Sequence, residues 1–362
     1  MTIVEKALAK RGVPDLLISD DEERVKDAAG FEARREQIKK ILSLNAYGEI
    51  PKRPDHLSTK QGEPRDNFCA GKASLQKIDL ICTVGERKFS FPVLAAIPKR
   101  ELPCPTFVHI SHHQTMPNEH LPIEEIIDRG YAVLTFCYTD VATDDKFFTK
   151  RCAPYLCQTR RRKSAPGKIA LWAWAAMRVM DYIESNPLLD KSNVAVIGHE
   201  KLGAVALLAG GFDERFKYVI SNDSGCCGAA LSRGKCGETP EWIADVYPYL
   251  MCPEWTKKVQ AGADMDFDQN FLAALCVPRH LMIGSAELDL WSDPESEFLT
   301  FASVMGAYRL YGKESIMCDE PPSAKAVLDM GHALYHVRHG ERYLSREDWN
   351  VYMDYIDKHI DD

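Results

Sequence analysis

No stretch of this 362-residue chain reaches the roughly 18 consecutive apolar residues that a membrane-spanning helix needs. The opening residues, Met1-Thr-Ile-Val-Glu-Lys6, lack the apolar core of a secretion signal. The twelve cysteines include no paired CxxC spacing. Cys152 and Cys157 are too isolated to suggest a metal, and Cys226 and Cys227 are adjacent. Reduced thiols serving as small apolar core residues, and a cytoplasmic location, are the expectation. Positive charge is also in short supply, with 45 Lys and Arg against 53 Asp and Glu, a net charge of −8. The one basic run, Arg160-Arg-Arg-Lys163, has no interleaved aromatics, so a nucleic-acid partner is not expected. Internal repeats and a domain-splitting linker are absent. What is plentiful is apolar content, 45% of residues, enough for one large core.

The most telling absence is a single hydroxyl. Val194-Ala-Val-Ile-Gly-His-Glu-Lys-Leu-Gly203 begins with a short apolar run, rich in β-branched residues, that reads as a buried strand ended by Gly198. Gly203 then opens an Ala- and Leu-rich helix, Ala204-Val-Ala-Leu-Leu-Ala209. Strand, sharp turn and helix form the nucleophile elbow of an α/β-hydrolase, whose tip presents a serine. Here the tip is Glu200.

Around the elbow, strands alternate with helices. Residues 1–50 are helical in character, and Pro51 to Pro64 reads as a polar connector. Leu75–Thr83 and Lys88–Ala96 predict an antiparallel pair. Pro105–Ser111, Tyr131–Tyr138, Tyr218–Ser221, His280–Ser285 and Leu328–Val337 predict strands. Ile123–Arg129, Ile169–Ser185 and Asp348–Ile360 predict helices. Thr139 to Gly167 is long, charged and irregular, a pattern common in functional loops. The expected architecture is an α/β fold with a mostly parallel central sheet covered by helices on both faces. A helical extension, residues 1–60, precedes a hydrolase domain, residues 61–362.

The chain resembles the glucuronoyl-esterase-like carbohydrate esterases, also called acetylxylan-esterase-like α/β-hydrolases. The resemblance runs from about residue 30 to 360. It is carried by Arg129-Gly-Tyr-Ala-Val133, Ile169-Ala-Leu-Trp-Ala-Trp174, Ile220-Ser-Asn-Asp-Ser-Gly-Cys226, Gly228-Ala-Ala-Leu-Ser232, Gly237-Glu-Thr239, Gly284-Ser-Ala-Glu287, Asp289-Leu-Trp291 and Tyr335-His-Val-Arg338. The family's elbow reads Gly-His-Ser-Arg-Leu-Gly-Lys, so its serine, arginine and lysine are Glu200, Lys201 and Ala204 here. Its catalytic histidine, in the pattern His-Ile-Arg-x-Gly-x-His, falls on Arg342. Its Asp-Gln-His segment is Asp268-Gln269-Asn270. The acid loop keeps Glu287 and Asp289, with Trp291 beside them to wall a sugar pocket.

Ester hydrolysis on this scaffold needs a nucleophile, a base and an acid that orients the base. Arg342 cannot act as a base, because a guanidinium does not deprotonate in proteins. The resemblance sets Glu200 and Arg342 face to face, where they are expected to form a charge-assisted, buried pair. The first reading is therefore a pseudoenzyme of this family, with Glu200, Arg342, Glu287 and Asp289 in the catalytic positions. Its pocket keeps a sugar acid or sugar ester, with Arg342 or Lys201 holding a carboxylate and Trp291, Gln269, His112, His113 and His339 as further ligand contacts. A second reading makes Glu200 the working nucleophile or general base, served by His339, His112 or His113. A third is a non-catalytic interaction protein. No cofactor is expected. A metal on His112, His113 and His120 is not expected either, for want of an acidic partner at ligand spacing.

Overall fold

The computed structural model describes residues 2–157, 162–313 and 320–362. Arg160 and Arg161 of the basic run lie outside the described residues.

The N-terminal segment supplies two helices. α1 (Ile3–Lys10) starts at a capping box in which Thr2 and Glu5 satisfy each other's backbone amides. α2 (Ala28–Asn45) starts where the Asp27 side chain accepts from the Gly30 amide. Both pack on the body of the protein through later helices.

Next come four antiparallel strands, β1 (His56–Gln61), β2 (Arg65–Phe68), β3 (Ala73–Val84) and β4 (Arg87–Pro98). β1 lies inside the stretch expected to be a connector, and it crosses residue 60. Its side chains are mostly exposed, so no apolar alternation marks it, and pairing with β3 makes it a strand. β3 and β4 match the expected pair and turn at Gly85.

The chain then alternates. β5 (Cys104–Ser111), α3 (Ile123–Asp128) and β6 (Ala132–Cys137) lead into the short helices α4 (Tyr138–Val141) and α5 (Ala153–Leu156). α6 (Lys168–Ser185) is buried on nearly every face, which explains its all-round apolar sequence. β7 (Leu189–His199), α7 (Lys201–Phe212) and β8 (Tyr218–Asn222) follow. Three helices, α8 (Pro240–Val246), α9 (Pro253–Gln260) and α10 (Gln269–Ala274), precede β9 (His280–Ala286) and α11 (Pro294–Leu310). The expected last strand is a hairpin, β10 (Val327–Asp329) and β11 (Ala333–Arg338), broken at Gly331 where φ is +80°. α12 (Arg346–Lys358) closes the fold from a Ser345/Asp348 capping box.

All the strands join one mixed sheet in the order β1-β3-β4-β6-β5-β7-β8-β9-β11-β10, with β2 on β3. The middle six, β6 to β11 in that order, are parallel neighbours, and the antiparallel strands sit at the two edges. Every residue of β5, β6, β8 and β9 is buried, as strands covered on both faces must be. The parallel block points its carboxyl ends the same way. The loops after Ser111, His199, Asn222, Ala286 and Arg338 therefore meet at one edge, where α/β sheets place their sites. Among the described residues, no helix is long and apolar enough to cross a membrane.

Candidate active site

The elbow is built by close approach. A Cβ on Gly198 would lie 2.0 Å from the Leu202 carbonyl oxygen, and one on Gly203 would lie 2.8 Å from the Ser224 Cβ. The two glycines let β7 turn directly into α7. Glu200 at the tip has φ +53° and ψ −136°, a strained conformation for a residue with a side chain. The backbone of a nucleophile elbow is thus present without its hydroxyl.

Arg342 stands opposite. Its Nη1 is 3.3 Å from Glu200 Oε1, and its Nε and Nη2 donate to Asp289 Oδ2 and Oδ1 at 2.8 and 2.9 Å. The expected pairing forms, but its balance differs from the expectation. The two-pronged contact goes to Asp289 on the acid loop, whose side chain is 4% exposed, and Glu200 receives a single long contact. Nor is the Glu200–Arg342 pair buried. The two side chains are 36% and 28% exposed, so the contact contributes about 0–1 kcal/mol, not the several kcal/mol of a buried pair. Burial pushes Asp289 up, and the hydrogen bonds and charge of Arg342 pull it below the ordinary carboxylate range. Burial works against the Arg342 charge, and Asp289 and then Glu200 raise its pKa above the usual value.

Three further groups frame Glu200. His199 is buried, with Nδ1 2.7 Å from Asn222 Oδ1, and burial lowers it to about 4. His112 Nε2 lies 3.3 Å from the His199 carbonyl oxygen and 3.7 Å from Glu200 Oε2. A carbonyl only accepts, so that nitrogen carries the proton. Burial lowers His112 as well. Burial pushes Glu200 up, but His199, His112 and Arg342 outweigh it and leave its carboxyl below the ordinary range. With both imidazoles neutral at pH 7, Arg342 supplies the lasting positive charge.

A cavity of about 180 Å³ opens beside the elbow, smaller than the roughly 300–1,000 Å³ that drug-sized ligands occupy. Glu200, Lys201, Arg342, Trp291, Trp242 and Glu238 contribute to its wall. The rings of Trp242 and Trp291 meet edge to face at 5.0 Å, and Trp291 Nε1 donates to Glu238 at 3.3 Å. Lys201 is held by Asp144 at 2.5 Å and lies over the Tyr138 ring. Both cations of the cavity, Lys201 and Arg342, thus already meet protein carboxylates, Asp144 for the first and Asp289 with Glu200 for the second.

Other candidate residues lie elsewhere. Glu287 pairs with the exposed His339 at 2.6 Å and does not line the cavity. Gln269 is buried at the start of α10, where it accepts from the Tyr47 hydroxyl at 2.8 Å. His113 faces Glu119 at 3.4 Å on the loop after β5, outside the cavity wall. That contact also supplies the acidic partner that spacing did not reveal for the histidine run. Ser224, inside the Ile220–Cys226 match, does reach the cavity wall, but its hydroxyl is tied to Ser221, Ala229 and Glu297, as befits a structural residue.

Some wall residues were missed. Glu238 lies in the Gly237-Glu-Thr239 match, which singled out the segment but not the role. Asp144 belongs to the irregular Thr139–Gly167 stretch, whose charge was the available signal. Trp242 carried no signal of its own.

A mixed sheet with a strained elbow, an acid loop after β9 and a facing residue after β11 define the α/β-hydrolase class. Residues 80–312 match the family model described as "Glucuronyl esterase, fungi", and the chain belongs to that family of carbohydrate esterases. It is 29% identical to carbohydrate esterase MZ0003 from an unknown prokaryotic organism, over 98% of this chain and 91% of that protein. It is 25% identical to a 4-O-methyl-glucuronoyl methylesterase of Neurospora crassa, over 84% of this chain and 74% of the relative. The glucuronoyl esterase of Solibacter usitatus superposes with a TM-score of 0.87 at 28% identity, covering 95% and 96% of the two chains. A promiscuous CE15 esterase from a marine bacterial metagenome superposes at 0.86 and 28%, covering 96% of each.

Proposed function

We propose that this chain keeps the small-molecule pocket of the carbohydrate esterases, for a sugar ester, and has given up their serine-type hydrolysis. The observation that carries the reading is the Arg342 guanidinium seated on Asp289 with its third edge toward Glu200. The position that takes a proton in the family now holds a group that cannot take one.

Glu200 does not replace the hydroxyl. A carboxylate attacking an ester carbonyl forms a mixed anhydride while expelling a far more basic alkoxide, so the adduct collapses backwards. Arg342 also draws charge from one of its oxygens. The cavity supports a ligand rich in hydroxyls. Glu200 and Glu238 offer acceptors, and the Trp291 and Trp242 rings offer apolar faces. With Arg342 and Lys201 both engaged by protein carboxylates, an ester or neutral sugar fits better than a free sugar acid.

One observation favours the rival reading, an active Glu200: the imidazole of His112 lies 3.7 Å away. Its facing nitrogen carries the N–H of a neutral imidazole, however, so it donates a hydrogen bond there and does not take a proton from a water placed between them.

The test is an assay of the full chain on methyl glucuronate and simple acyl esters. No turnover above background is expected, and the double variant Glu200→Ser with Arg342→His gains ester cleavage that neither single change yields, since such residues act as a unit. Turnover by the unaltered chain that disappears in Glu200→Gln overturns the proposal and establishes the rival. Saturable binding of methyl glucuronate, weakened in Trp291→Ala, separates a retained pocket from a bare interaction protein.

A further inference from the structure

Beyond the Glu200 cavity, the loop between β5 and α3 gathers three donor groups from one short run, His112-His-Gln-Thr-Met-Pro-Asn-Glu-His120. His113 Nε2 lies 3.4 Å from Glu119 Oε1, and His120 Nε2 lies 3.9 Å from the same oxygen. The three ligand atoms all fall within 4.8 Å of one another. We propose that His113, Glu119 and His120 form a binding site for one divalent transition-metal ion, with Zn²⁺ the natural occupant.

The distances argue for this over simple hydrogen bonding. An N–H···O bond spans about 2.7–3.2 Å, and both contacts are longer. Ligands at 2.0–2.1 Å around a tetrahedral zinc are separated by about 3.3 Å, so small side-chain movements bring all three onto one ion. Two imidazoles and one carboxylate are a borderline donor set that suits zinc better than calcium or magnesium. They leave a fourth position open.

The backbone around the three is pinned, so the ion need not order a loose loop. The His113 amide donates to Ser111 Oγ at 2.9 Å, and the Glu119 carbonyl accepts from the Tyr343 hydroxyl at 2.7 Å. The His120 amide donates to Asn118 Oδ1 at 3.1 Å, and its carbonyl accepts from Trp349 Nε1 at 2.8 Å. Ligands held on ordered backbone keep their geometry. The place matters too. The His120 ring lies 5.3 Å from His199 and 6.4 Å from His112, the two imidazoles that flank Glu200. A bound cation would be separated from Glu200 by those two imidazoles.

A second trio, His280, His332 and Asp362, lies at the opposite end of the sheet, where β9 begins, and serves as an internal control. The full chain, freed of metal with a chelator, is titrated with Zn²⁺ alone by calorimetry and with Co²⁺ by visible absorption. One equivalent is expected to bind, with the strong visible bands of tetrahedral Co²⁺. His113→Ala and His120→Ala each weaken binding at least about tenfold and abolish the bands. Glu119→Gln, on an exposed side chain that the fold does not need, weakens binding comparably and guards against misfolding of the histidine variants. His332→Ala leaves binding unchanged. Absence of saturable binding, or binding that survives Glu119→Gln and fails in His332→Ala, overturns the proposal.

Discussion

The elbow and the acid loop face each other across the cavity, yet they are built on different principles. The elbow is a matter of backbone. Two glycines where no Cβ fits force the turn, and the tip adopts φ +53° with a glutamate as its side chain. The acid loop is a matter of side chains. Asp289 accepts from Arg342 and the Ser292 amide, Ser292 donates to the Asp223 carbonyl, and Asp293 caps α11 through Ser296. A backbone-built element tolerates exchange at its tip, since little of the fold hangs on that side chain. A loop built from carboxylates does not tolerate exchange so readily. The shape of an elbow is therefore poor testimony to its chemistry, and the charge on the facing residue is better testimony.

The contrast breaks most sharply at Gly198. Gly198→Ala sets a Cβ 2.0 Å from a backbone carbonyl that cannot swing away, and it is expected to cost about 3 kcal/mol or more, read by urea unfolding. An equally stable variant would show that the elbow is not held by close approach. Beneath the acid loop, Glu297 accepts from Ser285 and the Gly225 amide, and burial raises its pKa to about 7. Its folded-state pKa exceeds its unfolded value near 4.5. The protonated form is therefore favoured by folding, and stability is lost as pH rises from about 4.5 through 7. The loss amounts to about 3 kcal/mol at the upper end. Glu297→Gln should flatten that decline, seen as a smaller change in unfolding free energy between pH 5 and 8; an unchanged slope assigns the titration elsewhere. Asp289→Asn comes next. It strips Arg342 of its two-pronged partner and is expected to cost about 2 kcal/mol by the same unfolding measurement.

Legibility followed the same division. The elbow could be read because a short apolar run between specific glycines is local. β5 to β9 could be read because strands covered on both faces appear as short, β-branched apolar runs bounded by turn residues. β1 could not, because its exposed side chains carry no alternation and its partner is in a later segment. Opposition of Glu200 and Arg342 was readable only through the family pattern. The preference of Arg342 for Asp289 was not readable, because it depends on which carboxylate is buried deeper across 53 positions of chain. Likewise, Lys201 and Asp144 are 57 residues apart, and nothing local announces that they neutralise each other. Glu119, by contrast, adjoins His120 in the sequence. Spacing along the chain does not show it as a partner of His113, because only the fold-back of the loop brings the two together.

The smallest effect belongs to the residue that defines the puzzle. Glu200→Gln keeps the side-chain volume and removes one charge from a contact that is a third exposed and already long at 3.3 Å. Arg342 keeps both of its bonds to Asp289, so no buried charge is left alone. The expected loss is under about 1 kcal/mol, well below that of Asp289→Asn, and raised salt should shrink it further because the pair is partly solvated. Glu200→Gly goes a step further, relieving the strain at φ +53° while forfeiting the same contact, and should equal or exceed the wild type in stability. If instead Glu200→Gln proved as costly as Asp289→Asn, the tip of the elbow would be a structural anchor in its own right. The distinction between a backbone-built and a side-chain-built half of the site would then fail.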